Sequence, residues 1–136
     1  MDTYVLDYRP DLDILFLRWL GTDTLVQAQA SYQAALALAL QHCCGRWLLD
    51  SRLSGPICLD ETAWLTHEFF PAAVAQLAPR TLRLGVFSSL QRMHQLRTDT
   101  TVAPAVRAAI AATQPYEVGL FVLEDDAVAW LQAPAG

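Results

Sequence analysis

The sequence predicts an α/β domain with a single mixed, mostly parallel five-stranded sheet and helices packed on it. After the first two strands, short apolar segments alternate with longer segments of helical periodicity, which is typical of parallel sheets with crossover helices. Turn residues at 9–13 (RPDLD) join those first two strands and favour an antiparallel hairpin. The run at 47–49 (WLL) is short and wholly apolar, as in a central strand covered on both faces.

The individual elements follow in chain order from apolar spacing and turn residues. We expect strands at 4–8, 14–20, 46–50, 81–88 and 116–123. We expect helices at 24–43, from about residue 60, at 103–113 and after residue 124, with a short helix or a loop at 89–97. The order is therefore β-β-α-β-α-β-α-β-α within one domain that spans residues 1–136.

The first helix has the clearest local signals. Thr24 and Gln27 have the spacing of a capping box, and Gly45 stands where a helix stop belongs. Spacing predicts that its buried face carries Leu25, Tyr32, Leu36, Leu40 and Cys43. Cys43 would thus lie in the core and Cys44 would be partly exposed.

The helix that begins near Asp60 contains Pro71, which removes a backbone donor, so we expect a kink or a break there. Its buried face is predicted to carry Leu65, Phe69, Ala72 and Gln76, with Trp64 beside them. Because Phe69 and Phe70 are adjacent, we expect that both cannot face the same core. One of them should line a cavity, contact a second helix layer or form an exposed patch, which makes Trp64, Phe69, Phe70 and Pro71 a candidate interface or ligand-lining group.

Composition excludes several classes of protein. The chain is 54% apolar and 17% charged, which excludes disorder. Nine basic and fourteen acidic side chains give a net charge of −5, and the basic residues are scattered, so we expect no binding to nucleic acid. No apolar run is long enough for a transmembrane segment. The acidic N-terminal segment does not resemble a signal peptide and the three cysteines form no disulfide framework, so a cytoplasmic protein is expected.

Asp50, Ser51 and Arg52 form the main candidate site because they follow the predicted central strand. Ligands and partners of α/β proteins usually bind at the carboxyl ends of such strands. The functional interpretation is a switch or a loop that contacts a partner. The alternative is structural: Asp50 accepts backbone donors in the turn, and Arg52 pairs with Asp50 or with Glu68.

Other chemistry is not favoured. His67 and Glu68 lack the second histidine of a zinc-protease motif, since Pro71 occupies that position. Cys43 and Cys44 are contiguous with His42, and successive helical side chains point in different directions, so we expect no metal site. No nucleophile with a base and an orienting group is evident, so we expect no enzymatic activity and no cofactor.

Three patterns together resemble the STAS domain (sulfate transporter and anti-sigma-factor antagonist), and more closely small bacterial stand-alone STAS-like proteins. They are residues 46–52 (RWLLDSR), Trp64-Leu65 with Phe70-Pro71, and residues 121–126 (FVLEDD) leading into 129–131 (AWL). The resemblance spans nearly the whole chain. In the anti-sigma-factor antagonists of this family, a serine that directly follows a strand-terminal Asp is phosphorylated. By the resemblance, Ser51 matches that position. Here residues 52–56 separate it from the next helix.

Three functions therefore remain open. The first is a non-enzymatic STAS-like module that binds a protein partner or a second copy of itself through residues 50–52 and the kinked helix. The second is a carrier of a small apolar ligand or lipid, which the apolar composition favours and which the resemblance also implies. The third is an antagonist switched by phosphorylation of Ser51, which requires an accessible hydroxyl.

Overall fold

The computed structural model describes residues 3–134; Met1 and Asp2, which begin the acidic N-terminal segment, and residues 135–136 lie outside that range. The elements are β1 (Tyr4–Arg9), β2 (Ile14–Trp19), α1 (Leu25–His42), β3 (Arg46–Asp50), α2 (Leu59–Trp64), a π-helical segment (Leu65–Phe69), α3 (Phe70–Leu77), β4 (Arg83–Phe87), α4 (Leu90–Thr98), α5 (Val102–Ala109), β5 (Glu117–Phe121) and α6 (Glu124–Gln132).

The five strands form one sheet in the order β1-β2-β3-β4-β5. Strand β1 is antiparallel to β2, and the other neighbours are parallel. The predicted fold class is therefore confirmed, with β3 in the middle of the sheet and both Trp47 and Leu48 fully buried. Two helices, α4 and α5, form the connection for which the sequence predicted a single helix after an uncertain segment.

Strand alternation divides the core into two layers. On what we call the first face, the sheet packs against the crossover helices through Leu15, Leu17, Trp19, Trp47, Leu49 and Leu84. On the second face it packs against α6 through Ile14, Phe16, Leu48 and Phe87, which meet Ala127 and Leu131. Since neighbouring strands are joined by crossovers of one hand, the connecting helices share one face and only the terminal helix reaches the other.

Helix α1 has the predicted capping box, in which the Thr24 hydroxyl accepts a hydrogen bond from the Gln27 backbone and the Gln27 side chain accepts one from the Thr24 backbone. The predicted buried face was wrong at Leu25, Leu40 and Cys43, which are exposed. The buried residues are Ala28, Ser31, Tyr32, Ala35, Leu36 and Ala39. Small side chains on this face let the helix lie close to the sheet.

The end of α1 also differs from the prediction. Cys43, not Gly45, adopts the left-handed conformation, with φ of 50°. This turn directs Cys43 outward and Cys44 inward, which reverses the expected burial of the two cysteines. Burial raises the pKa of the Cys44 thiol to about 11.

The helical segment around Pro71 is divided, as predicted, but by a π turn. The Phe70 backbone N–H donates to the Leu65 carbonyl, five residues earlier. The extra residue in this turn shifts the following helical face by one position. Phe69 is buried as predicted, whereas Phe70, Ala73 and Leu77 are buried in place of the predicted Ala72 and Gln76.

Among the described residues, no helix combines the length and apolar character that crossing a bilayer requires.

Candidate functional site

Residues 50–52, predicted as one site, are divided between the two faces of the sheet. Asp50 ends β3 with its carboxylate on the second face, where it meets Arg18 and Arg52. Ser51 is the next residue in the alternation and lies on the first face, where it lines a cavity with Leu49 and Leu84. The trio therefore does not form a single constellation.

The Asp50 carboxylate is held by two guanidinium groups. Its Oδ2 accepts hydrogen bonds from Arg18 Nη1 at 2.7 Å and Arg52 Nη2 at 2.9 Å. Its Oδ1 accepts from the Arg52 backbone N–H at 3.2 Å and from Arg52 Nε at 3.0 Å. Burial would raise the pKa of Asp50, but these hydrogen bonds outweigh it and hold the pKa below its ordinary value. Arg52 thus pairs with Asp50, as expected if residues 50–52 have a structural role.

The same cluster includes Glu124 at the start of α6, which forms an ion pair with Arg18. The Arg52 guanidinium lies 4.2 Å from the centre of the Phe87 ring, and its side chain is 49% exposed. We call Arg18, Asp50, Arg52 and Glu124 the charged rim. Two cations and two anions balance each other there, so the rim joins β2, β3 and α6 without excess charge.

Ser51 is 5% exposed. Its hydroxyl donates to the Phe87 carbonyl oxygen at 3.3 Å, and its backbone N–H donates to the same oxygen at 2.8 Å. The phosphorylation hypothesis required an accessible hydroxyl, and the structure does not meet that condition.

A cavity of about 130 Å³ lies on the first face, between the sheet and the helices α2, α4 and α5. Most of its lining is apolar. The sheet contributes Trp19, Leu49, Leu84, Val86, Val118 and Leu120, and the helices contribute Leu65, Phe70, Leu96, Val106, Ala109 and Ile110. Ser51 and Ser88 supply hydroxyl groups at the ends of β3 and β4.

A smaller polar cavity of about 70 Å³, which we call the vestibule, adjoins the first. Five residues line both spaces, which are therefore neighbours: Trp19, Tyr32, Ser51, Glu61 and Arg92. The vestibule is otherwise lined by polar or small groups from the loops after β2 and β3, including Thr22, Asp23, Ser54 and Gly55.

Glu61 and Arg92 are the charged groups at the junction of the two spaces. Burial raises the pKa of Glu61, against the opposing effect of Arg92. Burial also lowers the pKa of Arg92. Arg92 Nη1 donates to the Gly55 carbonyl, while its Nε is buried without a hydrogen-bond partner among the described residues. The burial of Tyr32 raises its pKa well above the ordinary value, and the nearby Glu61 adds to this effect.

Both adjacent phenylalanines are buried in the first-face core, at 3% for Phe69 and 5% for Phe70. The prediction that they cannot share a core was wrong, because the π turn rotates Phe70 inward beside Phe69. Phe70 also lines the cavity, as expected for one of the pair. Trp64 is half-buried and stacks on Phe69 at 5.0 Å, and Pro71 is half-buried. These rings therefore form no exposed aromatic patch.

Sequence reasoning missed the polar residues of the cavity. It placed Tyr32 on the buried face of the first helix and gave no functional role to Glu61 or Arg92. The available signal was Ser89, which caps α4 by accepting a hydrogen bond from the Arg92 backbone N–H and so fixes which residues of α4 face the sheet. Within residues 3–134, no three His, Cys, Asp or Glu side chains are grouped so that they could hold a metal ion.

Comparisons with models of protein families, with curated proteins and with solved structures found no match to this chain.

Proposed function

We propose that this chain is a non-enzymatic, STAS-like module that binds a small, mainly apolar ligand in the first-face cavity. The observation that supports the proposal is a mainly apolar pocket of about 130 Å³ at the side of the main core, lined in part by core residues such as Leu49, Leu84 and Phe70. Protein interiors are close-packed and contain few voids larger than a water molecule. An apolar chamber with a few convergent polar groups is the usual form of a ligand site.

The size of the cavity restricts the ligand. An engineered apolar cavity of roughly 150 Å³ accommodates benzene. The cavity here is of similar size, about 130 Å³. It therefore suits one aromatic ring or a short branched chain, and it favours a compact ligand over a lipid with long acyl chains.

The proposal can be tested by adding benzene and indole to the purified protein and following thermal unfolding. Saturating ligand should raise the melting temperature through preferential binding to the folded state. Ala109→Leu should fill the cavity and abolish this rise. Ala108→Leu is the matched control, because Ala108 is the preceding residue of α5 and is exposed. No rise in the wild type, or an equal rise in Ala109→Leu, would contradict the proposal.

A second candidate is binding of a protein partner at the charged rim. Arg52 is held in place by Asp50 and Phe87 yet half-exposed, and the neighbouring Leu53 is 64% exposed. Arginine is one of the residues that are enriched at the energetic centres of protein interfaces. A partner or a second copy captured by cross-linking should be lost in Arg52→Ala and Leu53→Asp and retained in Arg97→Ala. Retention in all three variants would exclude this surface.

We also propose a cytoplasmic location. All three cysteines are free, including the exposed Cys43 and Cys58. Thiols persist in compartments that are kept reducing. Labelling of intact and lysed cells with a membrane-impermeant thiol reagent tests the location, and labelling in intact cells would contradict it.

A further inference from the structure

The vestibule brings three charged side chains from separate elements to the polar end of the cavity. Asp23 comes from the loop after β2, Glu61 from α2 and Arg92 from α4. Asp23 lines only the vestibule, whereas Glu61 and Arg92 line both spaces. A ligand in the apolar chamber would therefore present its polar end to these groups.

Arg92 has an unused donor. Its Nη1 donates to Gly55, but its Nε is buried and has no partner among the described residues. A buried hydrogen-bonding group without a partner costs about 1–3 kcal/mol, and more when the group is charged. No ion pair within 4.0 Å joins Arg92 to Glu61 in the described part of the chain. The guanidinium therefore has room for an acceptor from a ligand.

The acidic side chains of the vestibule provide acceptors instead of donors. Asp23 Oδ2 is buried and has no hydrogen-bond partner among residues 3–134. Burial raises the pKa of both carboxyl groups, against the opposing effects of a hydrogen bond with the Thr3 side chain at Asp23 and of the nearby Arg92 charge at Glu61. A donor from a ligand, and best a cationic one, would satisfy Asp23 Oδ2 and would also be attracted by the nearby Glu61 carboxylate.

Ligands with a single charge satisfy only half of this arrangement. A carboxylate would accept from Arg92 but would be repelled by Asp23 and Glu61. An amine would pair with the two acids but would be repelled by Arg92. A molecule with an ammonium and a carboxylate on neighbouring atoms meets both requirements at once.

We propose that the ligand is a small zwitterion with an apolar side chain, namely a hydrophobic α-amino acid. Its ammonium lies toward Asp23 and Glu61, its carboxylate toward Arg92, and its side chain enters the chamber beside Phe70. The volume of about 130 Å³ suits the side chain of leucine or phenylalanine. This inference rests on the proposed function, because it identifies the ligand class of the same cavity.

Isothermal titration of the wild type with L-phenylalanine, 3-phenylpropionate and phenethylamine tests the inference directly. The three compounds share the ring and differ in charge. L-Phenylalanine should bind at least about tenfold more tightly than either analogue, since each analogue leaves one charged group unpaired. This comparison needs no variant and therefore does not depend on a variant that folds.

Substitutions at Arg92 and Glu61 test which end of the ligand each of these charged side chains contacts. Arg92→Gln should weaken L-phenylalanine by about tenfold or more and leave phenethylamine unchanged or tighter. Glu61→Gln should weaken L-phenylalanine and strengthen 3-phenylpropionate, because it removes a repulsion. Arg97→Gln is the control on the same helix, where Arg97 is exposed, and should change none of the affinities.

The outcomes separate this inference from the proposed function. If 3-phenylpropionate or phenethylamine binds as tightly as L-phenylalanine, or if benzene binds in the cavity and no amino acid does, the zwitterion is excluded while the cavity function stands. If neither benzene nor any of the three compounds binds, both are excluded.

Discussion

The carbonyl oxygen of Thr81 lies where a side chain on Gly45 would begin. A Cβ at Gly45 would overlap this oxygen, while the Gly45 carbonyl itself accepts a hydrogen bond from the Arg83 backbone N–H at 2.7 Å. The backbones that lead into β3 and β4 therefore approach each other too closely for any side chain. Glycine is required at position 45 by this close approach and not by its backbone conformation, because its φ is not positive.

We therefore predict that Gly45→Ala lowers the free energy of unfolding by about 2 kcal/mol, because backbone must shift to admit the methyl group. Gly21→Ala is the control, since a Cβ at Gly21 has no atom within 4 Å, and it should change the stability by less than about 0.5 kcal/mol. Urea denaturation measures both variants. Equal stability of the two would contradict the close approach.

Arg83 fixes the end of α6 to the sheet. Its Nη1 donates to the carbonyls of Trp130, Leu131 and Ala133 at 2.9, 3.2 and 2.7 Å, and its Nε pairs with Glu117 at 2.8 Å. A cation at a helix C-terminus is favoured by the helix dipole. Arg83→Met should therefore cost about 2–3 kcal/mol, from the lost charged hydrogen bonds.

The matched control for this prediction is Arg80→Met, because Arg80 is exposed and lies just before the same strand. It should be close to neutral in thermal unfolding. A melting temperature for Arg83→Met equal to that of Arg80→Met would show that α6 is held by its apolar contacts alone.

The charged rim predicts an acid-sensitive contribution to stability. Asp50 has a lower pKa in the folded chain than its ordinary value of 3.8, so its contribution is present above that pH and is lost as the pH falls through the folded-state pKa. Asp50→Asn should cost about 2 kcal/mol at pH 7, less than for a fully buried pair because Arg18 and Arg52 are 32% and 49% exposed.

The difference between Asp50→Asn and the wild type should shrink as the pH falls below about 4. Urea denaturation at pH 7, 5 and 3 and below measures it, with Asp126→Asn as an exposed control. Glu61 is present in both proteins, so its contribution to the pH dependence of stability cancels in the comparison. A difference that is constant with pH would mean that the Asp50 charge contributes nothing.

Ser51 should behave as a buried structural residue. Ser51→Asp places a charge at a site that is 5% exposed and should destabilise the fold by more than about 2 kcal/mol. Ser51→Ala loses one 3.3 Å hydrogen bond and should cost about 1 kcal/mol or less. Leu53→Asp, in the same loop at a residue that is 64% exposed, is the control for added charge. A fully stable Ser51→Asp variant would reopen the phosphorylation hypothesis.

The pairing of Asp50 with Arg52 could be anticipated because the two residues are two positions apart at a strand end. Their common neighbour Arg18 could not, because it is 32 positions from Asp50 along the chain. The polar residues of the vestibule come from three elements, and nothing local in the sequence marks Asp23, Glu61 and Arg92 as neighbours. The predicted buried face of the helix around Pro71 also assumed a regular α-helix. The π turn before Phe70 changed which of its residues face the core.

The sequence by itself determined the succession of strands and helices, the capping box of α1 and the central position of β3, because each depends on local periodicity and turn chemistry. Tertiary structure decided the separation of Asp50 from Ser51, the burial of both phenylalanines and the cavity that Arg92 lines. These features depend on how distant segments pack against one another, and the spacing of residues along a single segment does not contain that information.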